Sequence, residues 1–306
     1  MMKNEMYSRC TLCPRECGAD RYIRKGFCGE GAIARIARAE LHFWEEPCLS
    51  GRGGSGAVFF SGCSLGCGFC QNYPISAEHM GFELTDRQLA DTFLRLVEMG
   101  AENIDLVTPT HFVPSIISAL DMVKSRLGIP VIYNCGGYES GKTLDLLRGY
   151  VDVFLPDLKY RDSQLSLRLS KAEDYFEHCS SSLHKMLDIA GKPRYDASGK
   201  LVSGVLARHL VLPGCRKDSI ELMKWLRDSF APDELLVSLM CQFTPVYRSA
   251  ELGLTRRTTT FEYNSVLKIV EEAGFDGFIQ ERESADSDYI PEFFDHLYFD
   301  LPNTQI

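Results

Sequence analysis

The stretch Ala57-Val-Phe-Phe-Ser-Gly-Cys-Ser-Leu-Gly-Cys-Gly-Phe-Cys-Gln-Asn72 contains three cysteines in a C-x3-C-x2-C pattern. Its first four residues form an apolar run that predicts a β-strand, which places Cys63, Cys67 and Cys70 in the loop at the end of that strand. Iron-sulfur clusters are held by cysteine thiolates, and a cluster of four irons normally takes four of them. Three ligands would leave one iron open, which is typical of a reactive site. A structural zinc knot or three unrelated buried thiols are the alternatives.

Apolar, strand-like runs alternate with helical patterns along most of the chain. The runs lie at residues 57–60, 104–108, 130–133, 151–155, 204–212, 235–239 and 277–280. Between the first two, Thr85 and Gln88 can form a capping box, and Gly100 stands where a helix C-cap belongs. The alternation predicts βαβ units and a parallel sheet, and six or seven such units can close partway into a barrel. We therefore expect an α/β fold, a partial (β/α)6-type barrel with its functional loops on one rim.

The first fifty residues contain a second group of cysteines, and they differ in character from the rest of the chain. The pattern C-x2-C-x3-C-x10-C is formed by Cys10, Cys13, Cys17 and Cys28. Four thiolates make a closed site, so the pattern predicts structural zinc, with a second iron-sulfur cluster as the rival and a metal-free structural role as a further alternative. We expect three regions: a small Cys-rich metal-binding segment at 1–50, the partial barrel at 51–285 and a C-terminal extension at 286–306.

Composition and charge exclude several classes of protein. The chain has 306 residues, of which 45% are hydrophobic and 25% charged, values typical of a soluble globular protein. No apolar run approaches the roughly 18 residues of a membrane span, and the N-terminus lacks the apolar core of a secretory signal, so we expect a cytoplasmic protein without a membrane partner. A net charge of -9 disfavours nucleic acid as a partner. Cysteines outside the two groups are interpreted as buried thiols.

The cysteine triplet, with aromatic Phe69 directly before its last member, resembles the signature of the radical S-adenosylmethionine (SAM) superfamily. Further segments, spread over nearly the whole chain, resemble proteins related to pyruvate formate-lyase activating enzyme. They include Cys10-x-x-Cys-Pro-Arg-x-Cys, His42-Phe-Trp-Glu-Glu-Pro47, Thr108-Pro-Thr-His-Phe112, Tyr133-Asn-Cys-Gly-Gly-Tyr-Glu139, Leu155-Pro-Asp-Leu-Lys159 and Arg208-His-Leu-Val-Leu-Pro-Gly214. The resemblance implies an incomplete barrel, a [4Fe-4S] cluster whose open iron binds SAM, and a 5'-deoxyadenosyl radical that abstracts hydrogen from a substrate.

The same resemblance implies a set of cofactor-binding residues beside Phe69. Asn72 matches an asparagine with which activating enzymes contact SAM. Thr108 and Thr110 stand where related enzymes carry a Gly-Gly-Glu motif for the methionine amino group, and their oxygens can accept from an ammonium group although the carboxylate is missing. Asn134 and Gly136 lie in a turn that resembles the Asp-Thr-Asn-Gly turn of activating enzymes, with asparagine in place of aspartate, and glycine there permits a positive φ close to a ligand.

Four further residues are predicted at the rim of the barrel. Asp157 and Lys159 match an Asp-x-Lys motif of the family and should both face the cavity, with a simple salt bridge as the alternative. Arg208 matches an arginine near the cofactor carboxylate, whereas His209 is either a cofactor contact or a core histidine. Both interrupt an apolar strand, so each requires a partner. Two positions are possible for His42, Glu45 and Glu46: the rim of the barrel or a solvated turn.

The leading hypothesis is a radical SAM enzyme that abstracts hydrogen from a protein or peptide, with a glycyl-radical enzyme as the specific candidate and flavodoxin or ferredoxin as electron donor. Against the glycine assignment, Phe243-Thr-Pro-Val-Tyr-Arg248 stands where activating enzymes have a His-containing motif. The alternatives are modification of another peptide or a small metabolite, and a non-catalytic iron-sulfur or zinc protein that binds a partner or senses redox state.

Overall fold

A ten-stranded sheet forms the centre of the computed structural model, which describes residues 3–280. The strands are β1 Ala34–His42, β2 Ser55–Phe60, β3 Phe82–Leu84, β4 Ile104–Val107, β5 Val131–Cys135, β6 Val153–Pro156, β7 Arg194–Tyr195, β8 Leu201–Leu210, β9 Leu236–Met240 and β10 Gly277–Ile279. The α-helices are α1 Lys3–Ser8, α2 Pro47–Ser50, α3 Tyr73–Ser76, α4 Asp86–Glu98, α5 Val113–Leu127, α6 Gly141–Leu146, α7 Ser163–Ser170, α8 Tyr175–Ala190, α9 Arg216–Ser229 and α10 Thr260–Ala273. Short 3-10 turns lie at Thr110–Phe112 and Ala250–Leu252.

The order of the strands confirms the predicted α/β fold with a partial barrel. The sheet runs β10-β9-β8-β6-β5-β4-β2-β1-β3, with β7 added beside β8. The six pairings along the path from β2 to β10 are parallel, whereas β1 is antiparallel to both β2 and β3, and β7 is antiparallel to β8. Within residues 3–280 the two edge strands, β3 and β10, do not pair with each other, so the sheet stays open. All seven predicted strand-like runs are strands of this sheet.

Helix α4 shows how the local sequence sets the position of an element. The Thr85 hydroxyl accepts from the Gln88 N–H, and the Gln88 side chain accepts in return from the Thr85 N–H at 3.0 Å, which confirms the predicted capping box. Leu89, Phe93 and Leu96 are fully buried on one face of the helix, which packs beside α5. The apolar stripe therefore fixes which face of α4 meets the sheet.

The interior of the barrel has an apolar floor. Side chains from β5, β6, β8 and β9 form a buried cluster together with Cys48 and Leu49 of α2; the strand residues are Ile132, Val153, Leu155, Leu201, Leu206 and Leu236. Most of these lie near the amino-terminal ends of their strands, and the Leu49 carbonyl accepts from the Asn103 side chain at 2.8 Å. Helix α2 thus closes that end of the barrel, which leaves the opposite, carboxyl-terminal ends of the strands for the site.

The segment before β2 joins the barrel through β1. Residues Ile36 to His42 pair with Phe60 to Ser55, so part of the predicted region 1–50 belongs to the same sheet. The division into three regions stays a prediction, and its C-terminal extension at 286–306 lies outside the described residues. Across residues 3–280, no helix has both the length and the apolar character needed to cross a bilayer.

Candidate functional site

A cavity of about 890 Å³ opens inside the barrel. Its wall is formed by the loop after β2, by residues at or near the carboxyl ends of β5, β6, β8 and β9, and by residues 42–51. Eight residues of the predicted site line it: Cys67, Phe69, Cys70, Asn72, Asn134, Asp157, Lys159 and Arg208. Five other residues predicted for the barrel site do not line it, Cys63, Thr108, Thr110, Gly136 and His209, and neither do the four N-terminal cysteines. The eight lining residues come together because the carboxyl ends of parallel strands lie at the same edge of the sheet.

The loop that carries the cysteine triplet is held by hydrogen bonds to its sulfurs. Leu65 N–H donates to Cys63 Sγ at 3.3 Å and the Ser76 hydroxyl donates to Cys70 Sγ at 3.3 Å. Cys67 Sγ lies 2.9 Å from the hydroxyl oxygen of Ser170.

The three sulfurs also share one electrostatic environment. Burial raises the pKa of Cys63 and of Cys70, and the neighbouring Cys67 thiol is the next contribution to both shifts. Three mutually close thiols, each with a hydrogen-bond partner on its sulfur, are a donor set that fits a [4Fe-4S] cluster with one open iron.

Arg208 is the centre of the polar wall of the cavity. Its Nε donates to Asp157 Oδ1 at 3.1 Å, its Nη2 donates to Asn134 Oδ1 at 2.6 Å, and its Nη1 lies 3.4 Å from Glu45 Oε2. Lys159 Nζ donates to Asp157 Oδ2 at 2.7 Å. The strand register explains this meeting, because Arg208 of β8 lies beside Asp157.

Electrostatics keep these paired groups charged. Burial alone would raise the pKa of Asp157, but Lys159 and Arg208 outweigh it and hold that pKa below its ordinary value. Burial would lower the pKa of Lys159, yet Asp157 and then Cys67 raise it. Asp157 and Lys159 therefore form the rim salt bridge and face the cavity as well.

Three more carboxyl groups, Glu45, Glu46 and Asp105, lie next to this wall. Burial is the main reason that the pKa of each is raised, and Arg208 opposes the shift in all three cases. The sequence left Glu45 and Glu46 between a rim position and a solvated turn, and the structure places both at the cavity. Asp105 was missed, although an aspartate inside the apolar strand Ile104-Asp-Leu-Val107 was a signal that could have identified it.

The threonines that end β4 are engaged within the protein. Thr108 has a positive φ of 58°, and its N–H donates to the Asn134 carbonyl at 2.8 Å. The Thr110 hydroxyl donates to Glu139 Oε1 at 2.8 Å, and the Tyr133 hydroxyl donates to Glu139 Oε2 at 2.9 Å. The Thr110 hydroxyl thus points to a buried carboxyl beneath the site. Its role toward a cofactor stays a prediction.

Gly136 and His209 lie beside the cavity wall. A Cβ on Gly136 would lie 2.9 Å from Leu65 Cδ1, so glycine allows the cysteine loop to approach, whereas the positive φ of this turn, 76°, belongs to Gly137. His209 is buried on the face of β8 opposite to Arg208, and its Nδ1 lies 2.6 Å from the Leu158 carbonyl oxygen. Burial lowers the pKa of His209 to about 4, so the ring is neutral at physiological pH.

The four N-terminal cysteines lie in one compact turn. Cys10 N–H donates to the Ala19 carbonyl, and Gly18 N–H donates to the Cys10 carbonyl, both at 3.0 Å. Burial, followed by the neighbouring Cys28 and Cys10 thiols, raises the pKa of Cys13 to about 12. In residues 3–280, no group of three or more His, Cys, Asp or Glu side chains is arranged to hold a single metal ion. Zinc or a second cluster at this segment stays a prediction.

Arg15 and Gly62 join this turn to the loop of the cysteine triplet. Arg15 Nε donates to the Ser64 carbonyl at 2.9 Å and Arg15 Nη1 donates to the Lys171 carbonyl at 2.5 Å. A Cβ on Gly62 would lie 2.5 Å from the Cys28 carbonyl oxygen, and Gly62 has a φ of 79°. The two cysteine groups are therefore packed against each other through backbone contacts.

The sequence is similar to one family model and to one curated protein. Residues 57–181 match the sequence model of the Radical SAM superfamily. An uncharacterized protein of Methanocaldococcus jannaschii is 26% identical over 284 residues, which cover 89% of this chain and 77% of that protein.

Two solved structures are similar to parts of the chain. A radical SAM methyltransferase from Sphaerobacter thermophilus aligns with a TM-score of 0.52 and 15% identity, over 77% of this chain and 69% of its own. Streptococcus suis SuiB bound to its precursor peptide SuiA aligns with a TM-score of 0.44 and 11% identity, over 72% of this chain and 46% of its own. The first likeness concerns the fold alone, and the second is too distant to add to it.

Proposed function

We propose that the protein is an enzyme that reductively cleaves SAM and abstracts hydrogen from a protein or peptide substrate. The match of residues 57–181 to the Radical SAM superfamily model supports this proposal. One observation carries this proposal: the loop with the cysteine triplet faces a cavity of about 890 Å³ inside the partial barrel. Cys67, Phe69, Cys70 and Asn72 all line that cavity. The same cavity carries the fixed charges of Asp157, Lys159 and Arg208, which suit a polar cofactor.

The proposed ligands of the [4Fe-4S] cluster are Cys63, Cys67 and Cys70. When bound, the cluster and SAM together supply the electron and the 5'-deoxyadenosyl radical that abstracts a substrate hydrogen atom. Phe69 and Asn72 would bind SAM from the loop itself. Other proposed cofactor contacts, weaker on geometry because they do not line the cavity, are Thr108, Thr110, Gly136 and His209. Asn134, held by Arg208, does line it.

Asp157, Lys159 and Arg208 are proposed as the catalytic polar groups. Asp157 is ion-paired with both Lys159 and Arg208, so the three charges are fixed before any ligand enters. Such preorganised charges stabilise a charged ligand without the cost of reorienting solvent. Arg208 would orient a carboxylate, because a guanidinium can donate two parallel hydrogen bonds.

Two narrower functions, which differ in their substrate, are candidates. The first candidate is activation of a glycyl-radical enzyme, with electrons from flavodoxin or ferredoxin. The segments that resemble activating enzymes support it. Modification of another peptide or a small metabolite is favoured by Phe243, which stands where the activating enzymes have a His-containing motif. Its ring packs 6.1 Å from that of Phe69 and lines the cavity as an apolar wall.

The test is anaerobic reconstitution of the wild-type chain and of a variant with Cys63, Cys67 and Cys70 replaced by alanine. After addition of dithionite and SAM, we expect 5'-deoxyadenosine from the wild type alone. The matched control is Cys215→Ala, which removes a half-buried thiol outside the triplet and should leave the yield unchanged. A loaded and reducible cluster that releases no nucleoside, with or without added peptide extract, would contradict the proposal and favour a non-catalytic cluster protein.

The same variant tests the N-terminal cysteines. Iron that remains after removal of the triplet would identify a second cluster at Cys10, Cys13, Cys17 and Cys28. Zinc at one ion per chain would instead identify the structural site, because four thiolates are the usual ligands of structural zinc.

A further inference from the structure

Carboxyl groups outnumber cations in the wall of the cavity. Four carboxyls, those of Glu45, Glu46, Asp105 and Asp157, lie around two cations, Arg208 and Lys159. Asp157 accepts hydrogen bonds from both cations, from Arg208 at 3.1 Å and from Lys159 at 2.7 Å. Glu45 is left with a single, longer contact of 3.4 Å to Arg208. The remaining carboxyls therefore lack a positive partner of their own within the described site.

Oxygen atoms of this group lie buried without any donor. Asp105 is fully buried; its Oδ2 accepts from Asn134 Nδ2 at 3.3 Å, whereas its Oδ1 has no hydrogen-bond partner in the described structure. Glu46 Oε2 is likewise buried and unpartnered there. The Glu45 carboxyl is in contact with the carboxyls of both Glu46 and Asp105. Ionised carboxyls only accept hydrogen bonds, so such facing groups require a cation or protons between them.

The walls around these carboxyls are apolar and aromatic. The cavity is lined near Glu45 and Glu46 by Phe43 and Trp44, and elsewhere by Phe59, Leu210, Met240 and Phe278. Phe43 and Trp44 are about half exposed, so they stand where the cavity meets solvent. An apolar wall that leads from solvent to a group of carboxyls matches a ligand with an alkyl stem and a cationic end.

The number of hydrogen-bond acceptors in the cavity wall distinguishes between two kinds of organic cation. An ammonium group is compact and has three donors, which can reach three separate acceptors. A guanidinium is a planar fork that suits one carboxylate taken in bidentate fashion. Glu45, Glu46 and the Ser238 hydroxyl supply three separate acceptors in the cavity wall, with Ser238 beside Glu46, and the fully buried Asp105 lies behind them. The arrangement favours an ammonium group.

We propose that Glu45 and Glu46, with the buried Asp105 behind them, form a subsite for a protonated primary amine at the end of an alkyl chain, as on a lysine side chain. The inference rests on the proposed function, because it assigns this group to the substrate of the radical reaction. It narrows the substrate to a lysine-bearing peptide or an alkylamine.

The test compares two probes of equal length, n-hexylammonium and n-hexanol, by calorimetry. The protein is the reconstituted full chain, saturated with SAM. We expect the wild type to bind the amine at least about tenfold more tightly than the alcohol, because hydrogen bonds to charged groups are the strong ones. The double variant Glu45→Gln/Glu46→Gln should lose this preference and bind both probes alike.

Matched variants keep the result interpretable. Glu98→Gln removes an exposed carboxyl on α4 and should preserve the preference of the wild type. Asp105→Asn tests the third carboxyl separately, and circular dichroism verifies that each variant is folded. The two probes compared on the wild type alone already decide the matter if a variant does not fold.

Three results would overturn the inference. One is equal affinity of the wild type for amine and alcohol. Another is binding of the amine only by protein prepared without SAM and not by the SAM-saturated protein, which would assign the carboxyls to the cofactor ammonium group instead. The last is competition from potassium or calcium ions that bind these carboxyls more tightly than the amine does.

The outcome is separable from that of the proposed function. Absence of amine selectivity while 5'-deoxyadenosine is still formed would overturn the subsite alone. Selective amine binding by a loaded protein that does not cleave SAM would overturn the proposed function alone.

Discussion

Glu139 is a buried carboxyl that accepts hydrogen bonds from the Thr110 and Tyr133 hydroxyls. Burial raises its pKa from the ordinary 4.5 to about 7, and the two hydroxyls reduce the shift without cancelling it. The neutral form is therefore the one that the folded protein favours through most of the acidic range. Because Thr110 follows β4, the protonation of Glu139 acts on the segment after that strand through its hydrogen bond to Thr110.

A pH dependence of stability follows for Glu139→Gln. A carboxyl whose pKa is raised by folding binds more protons in the folded chain, so stability falls as pH rises from about 4.5 to about 7 and is flat above. The wild type should lose up to about 3 kcal/mol more than Glu139→Gln between pH 4.5 and 8. Urea unfolding at several pH values measures this difference. Equal slopes for the two proteins would show that Glu139 is ionised in the folded chain.

Gly62 and Gly100 provide a matched pair for the contact between the two cysteine groups. Both have a positive φ, 79° and 93°, but only Gly62 has a backbone oxygen where a Cβ would lie. Gly100→Ala should cost about 1 kcal/mol from backbone strain alone. Gly62→Ala should cost roughly 2 kcal/mol more, because the Cys28 carbonyl must move. Thermal unfolding compares the two, and similar costs would mean that the segment with Cys28 yields freely.

At the scale of single elements, α4 depends on its N-terminal cap. Thr85→Ala removes the acceptor for the Gln88 N–H and should cost about 1 kcal/mol of stability. Thr85→Ser keeps a hydroxyl at the same position and should retain most of that stability. Urea unfolding of the two variants gives the comparison. A Thr85→Ser variant as unstable as Thr85→Ala would assign the effect to the lost methyl group and its packing.

The strands of the parallel barrel were predictable because they are buried on both faces and read as continuous apolar runs. Strand β1 was not, since its sequence interleaves Arg35, Arg38 and Glu40 with small apolar residues. Arg38 pairs with Glu40 of the same strand, but Arg35 pairs with Glu30 and with Glu83 of β3, a partner that only the fold supplies. The two-residue strand β7 and the three-residue strand β3 are too short to show a pattern.

Some residues of the candidate site were likewise predictable from local sequence, whereas others depend on contacts that only the fold creates. The cysteine loop was predictable because its spacing is contained in eight consecutive residues, Cys63 to Cys70. Asp157, Lys159 and Arg208 were predicted at the rim, and all three line the cavity. His209 illustrates the limit, since one step along a strand turns a side chain to the opposite face, and the sequence did not settle which of the two neighbours faces inward.

At the scale of the whole molecule, hydrogen bonds between residues far apart in sequence attach the N-terminal turn to the barrel, and Arg15 makes several of them. Arg15 donates to the carbonyls of Ser64, Ser170 and Lys171, and its guanidinium lies 4.1 Å from the centre of the Phe27 ring. Buried carbonyls that lose such donors cost about 1–3 kcal/mol. Arg15 therefore connects the four-cysteine turn to the triplet loop and to the end of α7.

Arg15→Gln should loosen this attachment without unfolding the barrel. Hydrogen exchange is expected to speed up at the amides of residues 10–28 and 62–70, while those of β4 and β5 keep the protection of the wild type. Arg24→Gln, a change at an exposed position of the same turn, serves as the control. Uniform acceleration throughout the chain would instead indicate that the turn and the barrel unfold as one cooperative unit.

Residues 43–54 leave β1 after His42 and return at Ser55, and those two residues are paired across the sheet. The excursion carries Glu45 and Glu46 at the cavity and anchors itself through Cys48 and Leu49 in the floor of the barrel. Its ends are therefore fixed by strand pairing rather than by its own sequence. A different sequence between the same two strand ends would change the chemistry of this wall and leave the loop of the cysteine triplet, which follows β2, unchanged.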